Sequence, residues 1–207
     1  GKLSVMVRDS RKTASPRRHF ATVETQDKTP RVRYTFAAMS AAEKAKACFM
    51  DATAALQAGH AARAEALFRD ALEYNPDHAG TWLNLGLSLL RQDKRTDAQE
   101  AFIRAIALDP DNAAAQNNLG RLYHENGQVE EAFTHLSRAV VLQPDSPSAH
   151  NNIATLYKDL EKHSEAEYHY RAALSLRPDF ADALNNLGTL MRRTAQFSEA
   201  EEAFTQA

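Results

Sequence analysis

Four stretches of this sequence are the same sentence written four times: DALEYNPDH at 70–78, RAIALDPDN at 104–112, RAVVLQPDS at 138–146 and AALSLRPDF at 172–180. Pro76, Pro110, Pro144 and Pro178 stand 34 residues apart, and an aspartate follows each one: Asp77, Asp111, Asp145 and Asp179. Three equal intervals with matching neighbours define a repeat, and a repeat is decisive for fold before any local propensity. With each proline at position 32, the units run 45–78, 79–112, 113–146, 147–180 and 181–207.

Other positions then fall into columns. The second unit has Trp82, Leu85, Gly86, Ala98, Phe102, Ala105 and Pro110. The third has Leu119, Gly120, Tyr123, Ala132, Leu136, Ala139 and Pro144, and the fourth Ile153, Ala154, Tyr157, Ala166, Tyr170, Ala173 and Pro178. The fifth has Leu184, Leu187, Gly188, Ala200, Phe204 and Ala207. The first keeps Ala64, Phe68, Ala71 and Pro76 but has Asp51 where the others have Leu or Ile, as expected of a solvent-facing end unit. Small residues at Gly86, Gly120, Ala154 and Gly188, facing Ala98, Ala132, Ala166 and Ala200, allow two helices of a hairpin to approach. Phe68, Phe102, Tyr123, Tyr157, Tyr170 and Phe204 read as core rather than as platforms for nucleic-acid bases.

These columns resemble the tetratricopeptide repeat family over residues 45–207. The resemblance implies an all-α, right-handed superhelical solenoid of antiparallel helix hairpins whose first helices line a concave groove. First helices are predicted near 79–92, 113–126, 147–160 and 181–194, and second helices near 95–108, 129–142, 163–176 and 197–207. The first hairpin is expected to start near Ser40 or Ala41. Proline ends each second helix, and the aspartate after it is expected to receive free N–H groups of the next.

Residues 1–40 form a separate basic segment in front of the array at 41–207. Residues 1–36 hold nine Lys/Arg and three acids, a charge of +6, which leaves −8 on residues 37–207. Disorder is the first expectation for this segment; short alternating patterns at 3–7, 20–25 and 31–36 leave a small β element as the alternative. Its basic first 20 residues also allow an organellar transit peptide. The acidic body argues against nucleic acid, which needs a net basic surface. No apolar run is long enough to span a bilayer. A single cysteine, Cys48, excludes an intrachain disulfide and makes a reducing, cytoplasmic location the simplest reading.

The functional candidates lie on the first helices. Position 6 is Asn84, Asn118, Asn152 and Asn186, and position 5 is Asn117, Asn151 and Asn185. An amide offers a donor and an acceptor, so a row of them is suited to the backbone of an extended peptide. Such a ladder resembles the repeat region of O-linked N-acetylglucosamine transferase and its plant and bacterial relatives. There it binds substrate and partner polypeptides ahead of a glycosyltransferase domain. Groove positions 9, 12 and 13 add Arg91, Arg121, His124, Lys158, Arg192 and Arg193, with Glu125 and Asp159 between them; they suggest an acidic or carboxylate-ended ligand. The carboxylate clamp of chaperone adaptors is rejected, because Phe49 and Thr53, or Leu83 and Leu87, stand at its positions, and Asn117 with Arg121 is no better a match.

The sequence therefore predicts a scaffold that binds a protein or peptide, with no cofactor, metal or catalytic residue of its own. The alternative is the substrate-recognition region of a larger enzyme of the glycosyltransferase kind. The fifth unit stops at its position 27, which suggests either a longer protein or self-association through an open end. Of eight histidines, His135 and His169 occupy equivalent places on successive second helices, but two imidazoles make a poor metal site without a third ligand. His163 and His169 do not share a helix face, no H-E-x-x-H occurs, and Cys48 lacks a triad partner in sequence.

Overall fold

A computed structural model of the chain describes Phe36 and residues 39–193. Within them run α1 (Ala41–Gln57), α2 (Ala61–Tyr74), α3 (Ala79–Leu90), α4 (Arg95–Leu108), α5 (Ala113–Glu125), α6 (Val129–Leu142), α7 (Pro147–Asp159), α8 (His163–Leu176) and α9 (Ala181–Arg193). The described residues contain no strand. Consecutive helices pack as hairpins, α1 with α2, α3 with α4, α5 with α6 and α7 with α8, and each second helix leans on the first helix of the next unit. First helices also touch one another, α1 to α3, α5 to α7 and α7 to α9, so they form the inner row of the stack. This is the expected all-α solenoid of antiparallel hairpins. The readings of residues 1–38, Phe36 apart, and of the second helix of the fifth unit lie outside the described residues.

The prolines act one residue upstream of themselves. Steric clash with a proline ring drives the preceding residue out of the helical region. Asn75, Asp109, Gln143 and Arg177 accordingly adopt φ of −145°, −140°, −137° and −144° and terminate α2, α4, α6 and α8. The aspartates after the prolines do not cap the next helix, contrary to expectation. The cap falls one residue later, where the chain has already turned: Asn112 Oδ1 accepts from the Ala115 N–H at 3.0 Å, and Ser146 Oγ from the Ala149 N–H at 3.3 Å. Asp111 instead pairs with Arg138 at 2.5 Å. Ser40 and Glu43 form a reciprocal capping box at the start of α1, and this contact holds the Glu43 carboxyl below its usual range.

Position 15 links the two helices of each of the four hairpins among the described residues in left-handed backbone: Gly59 (φ 81°), Asp93 (φ 57°), Gly127 (φ 74°) and Glu161 (φ 58°). A side chain there is strained by about 1–2 kcal/mol, which glycine avoids. Glu161→Gly should therefore raise stability by about 0.5–1 kcal/mol, even though it removes the 3.6 Å contact of Glu161 with Arg193. An unchanged or lower urea midpoint would contradict this.

The core lies between the helices of each hairpin and between hairpins. Phe68, Phe102, Leu136 and Tyr170, at one position of four units, are wholly buried. The small residues they meet, Gly86, Gly120 and Ala154, are buried as well, as are Ala98, Ala132 and Ala166. Asp51 is exposed on α1, the solvent-facing first helix. Phe36 closes that end: its ring meets Tyr74 edge-on at 6.1 Å, and the Lys44 ammonium lies 5.8 Å and 5.6 Å from the two rings.

Candidate functional site

The position-6 amides behave in two ways, and the residue at position 5 of the preceding unit decides which. Asn152 Nδ2 donates to Asn117 Oδ1 at 3.0 Å, and Asn186 Nδ2 to Asn151 Oδ1 at 3.2 Å, each across a repeat boundary. Before Asn84 and Asn118, position 5 is Phe49 and Leu83, which offer no acceptor. Those two amides turn back on their own helix, Asn84 to the Gly80 carbonyl at 2.9 Å and Asn118 to the Ala114 carbonyl at 2.8 Å. Cross-repeat amide pairs thus lock α5 to α7 and α7 to α9, while Asn117 Nδ2 and the Asn152 and Asn186 carbonyls keep no partner among the described residues. Asn151 departs from the rest: on α7 it is only 7 % exposed, whereas Asn185 stands exposed on α9.

Most of the charged candidates face a carboxylate. Glu125 takes both Arg121, one turn back on α5, and Arg95 from α4. His124 meets Asp159 at 3.0 Å, and Lys158 reaches the same carboxylate at 3.6 Å. Arg91 caps the α1 end by donating to the Leu56 carbonyl. Arg192 is exposed at the end of α9, and Arg193 faces Glu161. A basic strip read from types alone becomes a set of polar contacts, of which Arg95–Glu125, His124–Asp159 and Arg193–Glu161 run between successive hairpins, each worth little at such exposure.

A second column was not foreseen. Position 4 of α3, α5 and α7 ties back to the proline that ended the previous second helix. Trp82 Nε1 donates to the Pro76 carbonyl at 2.7 Å, Gln116 Nε2 to Pro110 at 3.0 Å, and His150 Nε2 to Pro144 at 3.0 Å. Three unlike side chains share one N–H at one reach, which satisfies a carbonyl that the proline break leaves open. Position 23 completes the arrangement. His135 Nδ1 bonds Gln116 Oε1 at 2.6 Å and its ring stacks on Tyr123; His169 Nδ1 bonds His150 Nδ1 at 2.9 Å and its ring stacks on Tyr157. His150 gives its Nε2 proton to Pro144, so its Nδ1 accepts and His169 must be the donor in the neutral pair. Burial, and then the neighbouring His150, push His169 down to about 4; burial also lowers His135. His135 and His169 therefore do not meet each other, and the described residues hold no group of three metal-capable side chains.

A tetratricopeptide repeat profile matches residues 49–94 and 83–147, and a second one matches residues 147–180. The chain belongs to the tetratricopeptide repeat family. Repeats of this family are non-catalytic protein-interaction modules, and the array is one of them. No curated protein matches the sequence. Among solved structures, PilF of Pseudomonas aeruginosa is 23% identical over 80% of this chain and 76% of its own, with a TM-score of 0.71. MamA of Desulfovibrio magneticus RS-1 is 20% identical over 79% and 93%, with a TM-score of 0.68. YrrB, described as a TPR protein with an unusual peptide-binding site, is 22% identical over 79% and 84%, with a TM-score of 0.62. At these identities the likeness is one of fold. No described helix is long and apolar enough to cross a membrane.

Proposed function

We propose that this tetratricopeptide array is a scaffold that holds an extended polypeptide along its inner row of helices, with the amides of α5, α7 and α9 as the contact surface. The cross-repeat bonds from Asn152 to Asn117 and from Asn186 to Asn151 carry this reading. Each bond uses one half of each amide and fixes the orientation of the other half, so the free groups are held ready without further loss of rotamer freedom. The peptide-binding site described for YrrB, a protein of the same fold, supports it. Since Arg121, His124 and Lys158 already face carboxylates, recognition rests on the ligand's backbone rather than on acidic side chains.

The test uses a peptide selected against the array from a random displayed set, with affinity read by calorimetry. Changing Asn118, Asn152 and Asn186 together to Ala should weaken binding about tenfold with helicity retained, given roughly 0.5–1.5 kcal/mol per bond. Asn117→Asp is the sharper variant. It keeps the acceptor that Asn152 uses and replaces the free amino group by an oxygen, so the fold stays and the donor goes. Unchanged affinity in both would remove the amide row from function.

A further inference from the structure

A cavity of about 230 Å³ opens between α1 and the start of α3, with Ala42, Ala45 and Phe49 on one side and His78 and Thr81 on the other. Its place in the repeat explains it. In the next two units position 34 is Asn112 and Ser146, whose side chains fold onto the following helix as caps. His78 holds that position before α3 and does not cap. Its Nδ1 instead bonds the Thr81 hydroxyl at 2.7 Å, at a position 3 that is Ala115, Ala149 and Ala183 in later units. The His78 ring stands over Gly80, where an added Cβ would come within 3.2 Å of its Cε1, and it meets Phe49 edge-on at 5.4 Å. Ala45 and Thr81 are buried at the base, 8 % and 2 % exposed, while Ala42, Lys46, Asn75 and His78 are exposed around the mouth. The cavity is therefore open to solvent.

At this volume the cavity falls below the roughly 300–1,000 Å³ of small-molecule sites and suits one side chain. Its walls are apolar and its mouth holds donors. The buried Thr81 hydroxyl has His78 Nδ1 as its one side-chain partner among the described residues, so it donates there. The neutral imidazole then carries its own proton on Nε2. Lys46 and the Asn75 amide make no ion pair or side-chain hydrogen bond among the described residues. No carboxylate lines the cavity. Glu43, one turn before Lys46, is turned back to Ser40 at 2.8 Å and 2.9 Å. The uncommitted charge at the mouth is thus positive.

The geometry points to a side-chain anchor at the start of the inner row. The cavity seats one leucine-sized side chain of the partner polypeptide, and Lys46, His78 Nε2 and the Asn75 amide receive the carboxylate of an acidic residue next to it. This rests on the reading of the inner row as a peptide track and adds a side-chain requirement to it. Phe49 stands at position 5, where later units have Asn117 and Asn151, and the partly exposed Leu83 and Leu87 continue from it along α3. The ligand is gripped by a side chain at α1 and α3 and by its backbone at α5, α7 and α9. Ala42 leaves the mouth open beyond α1, so the chain runs past the cavity and the anchored residue is an internal one.

The probe is acetyl-Ser-Gly-Ser-Leu-Glu-Ser-Gly-Ser-amide, titrated to millimolar concentration against the full chain and read by amide NMR. It should shift the Ala45 and Thr81 signals saturably. The same peptide with Ser for Leu should give no shift there. With Lys for Glu it should bind about fivefold more weakly, as one exposed charge pair turns from attraction to repulsion. Lys46→Glu, at an exposed position, should reverse the preference between the Glu and Lys peptides. Ala42→Leu, also exposed, fills the mouth and should abolish the shifts. The triple Asn118, Asn152 and Asn186 change should leave them as they are, so this anchor and the amide row fail separately. No shift at Ala45 and Thr81, equal shifts from all three peptides, or a response only to acetyl-Ser-Gly-Ser-Leu with its terminal carboxylate free would each overturn the proposal.

Discussion

Gly120→Ala should destabilise the array by about 2 kcal/mol, whereas the chemically identical Gly86→Ala should cost less than about 1 kcal/mol. Both glycines sit at position 8 of a first helix, pressed against position 24 of its partner. A methyl group on Gly120 would lie 2.8 Å from Leu136 Cγ and 2.9 Å from the Leu136 backbone nitrogen. The side chain can turn, but the backbone of α6 can yield only by moving the helix. On Gly86 the same methyl would meet carbons of the Phe102 ring at 2.5–2.9 Å, and no backbone atom is among the nearest. The fourth unit shows that an alanine and a ring fit together at these positions, because Ala154 and the fully buried Tyr170 share one core cluster there. Overpacking costs about 1–3 kcal/mol, and alanine regains about 1 kcal/mol of helix propensity at either site. The net effect is large only where backbone blocks relaxation. Urea unfolding of the two variants decides it; equal losses, or a larger one at Gly86, would show that the ring is the stiffer neighbour.

The contrast marks where sequence reading of this molecule succeeds and where it stops. Helix ends follow from the period, because proline geometry acts on its immediate neighbour and α4, α6 and α8 begin and end at the expected residues. The cap was misplaced by one residue because Asp111 and Asn112 are equally good cap types; only backbone direction selects Asn112. The amide row was visible as a column of identical residues. Its split between Asn118 and Asn152 was latent in the same alignment, in Leu83 against Asn117, but required knowing that positions 5 and 6 of successive first helices are within reach. Charge pairing was hidden for a similar reason: Arg95 belongs to α4 and Glu125 to α5, 30 residues on. The position-4 column was missed because Trp82, Gln116 and His150 share no property except one N–H at the right distance.

Acid should weaken the fourth hairpin in a window set by one imidazole. His169 is held neutral in the fold, with its ring on Tyr157 and its Nδ1–H given to His150, and burial pushes it down to about 4. In the unfolded chain the same ring takes a proton near pH 6.5. The unfolded state therefore binds more protons than the native one between these values, and stability rises with pH across them. The contribution is complete above about pH 6.5, declines as pH falls towards 4, and does not decline further below that. With allowance for solvent screening at a partly exposed ring, the loss across the window is about 2 kcal/mol. His135, lowered by burial and partly restored by Glu131, adds a smaller loss of the same sign. His169→Gln keeps an amide able to bond His150 but has no proton to gain. It should start less stable at neutral pH, having lost the stack on Tyr157, and should show a flatter profile between pH 6.5 and 4. Carboxylates titrating in the lower part of the window are common to both proteins and drop out of the difference. Parallel profiles for the variant and the parent would place the acid sensitivity elsewhere. A direct NMR titration of the His169 ring reaching its midpoint near 6.5 would show that the imidazole pair does not hold its proton out of the fold.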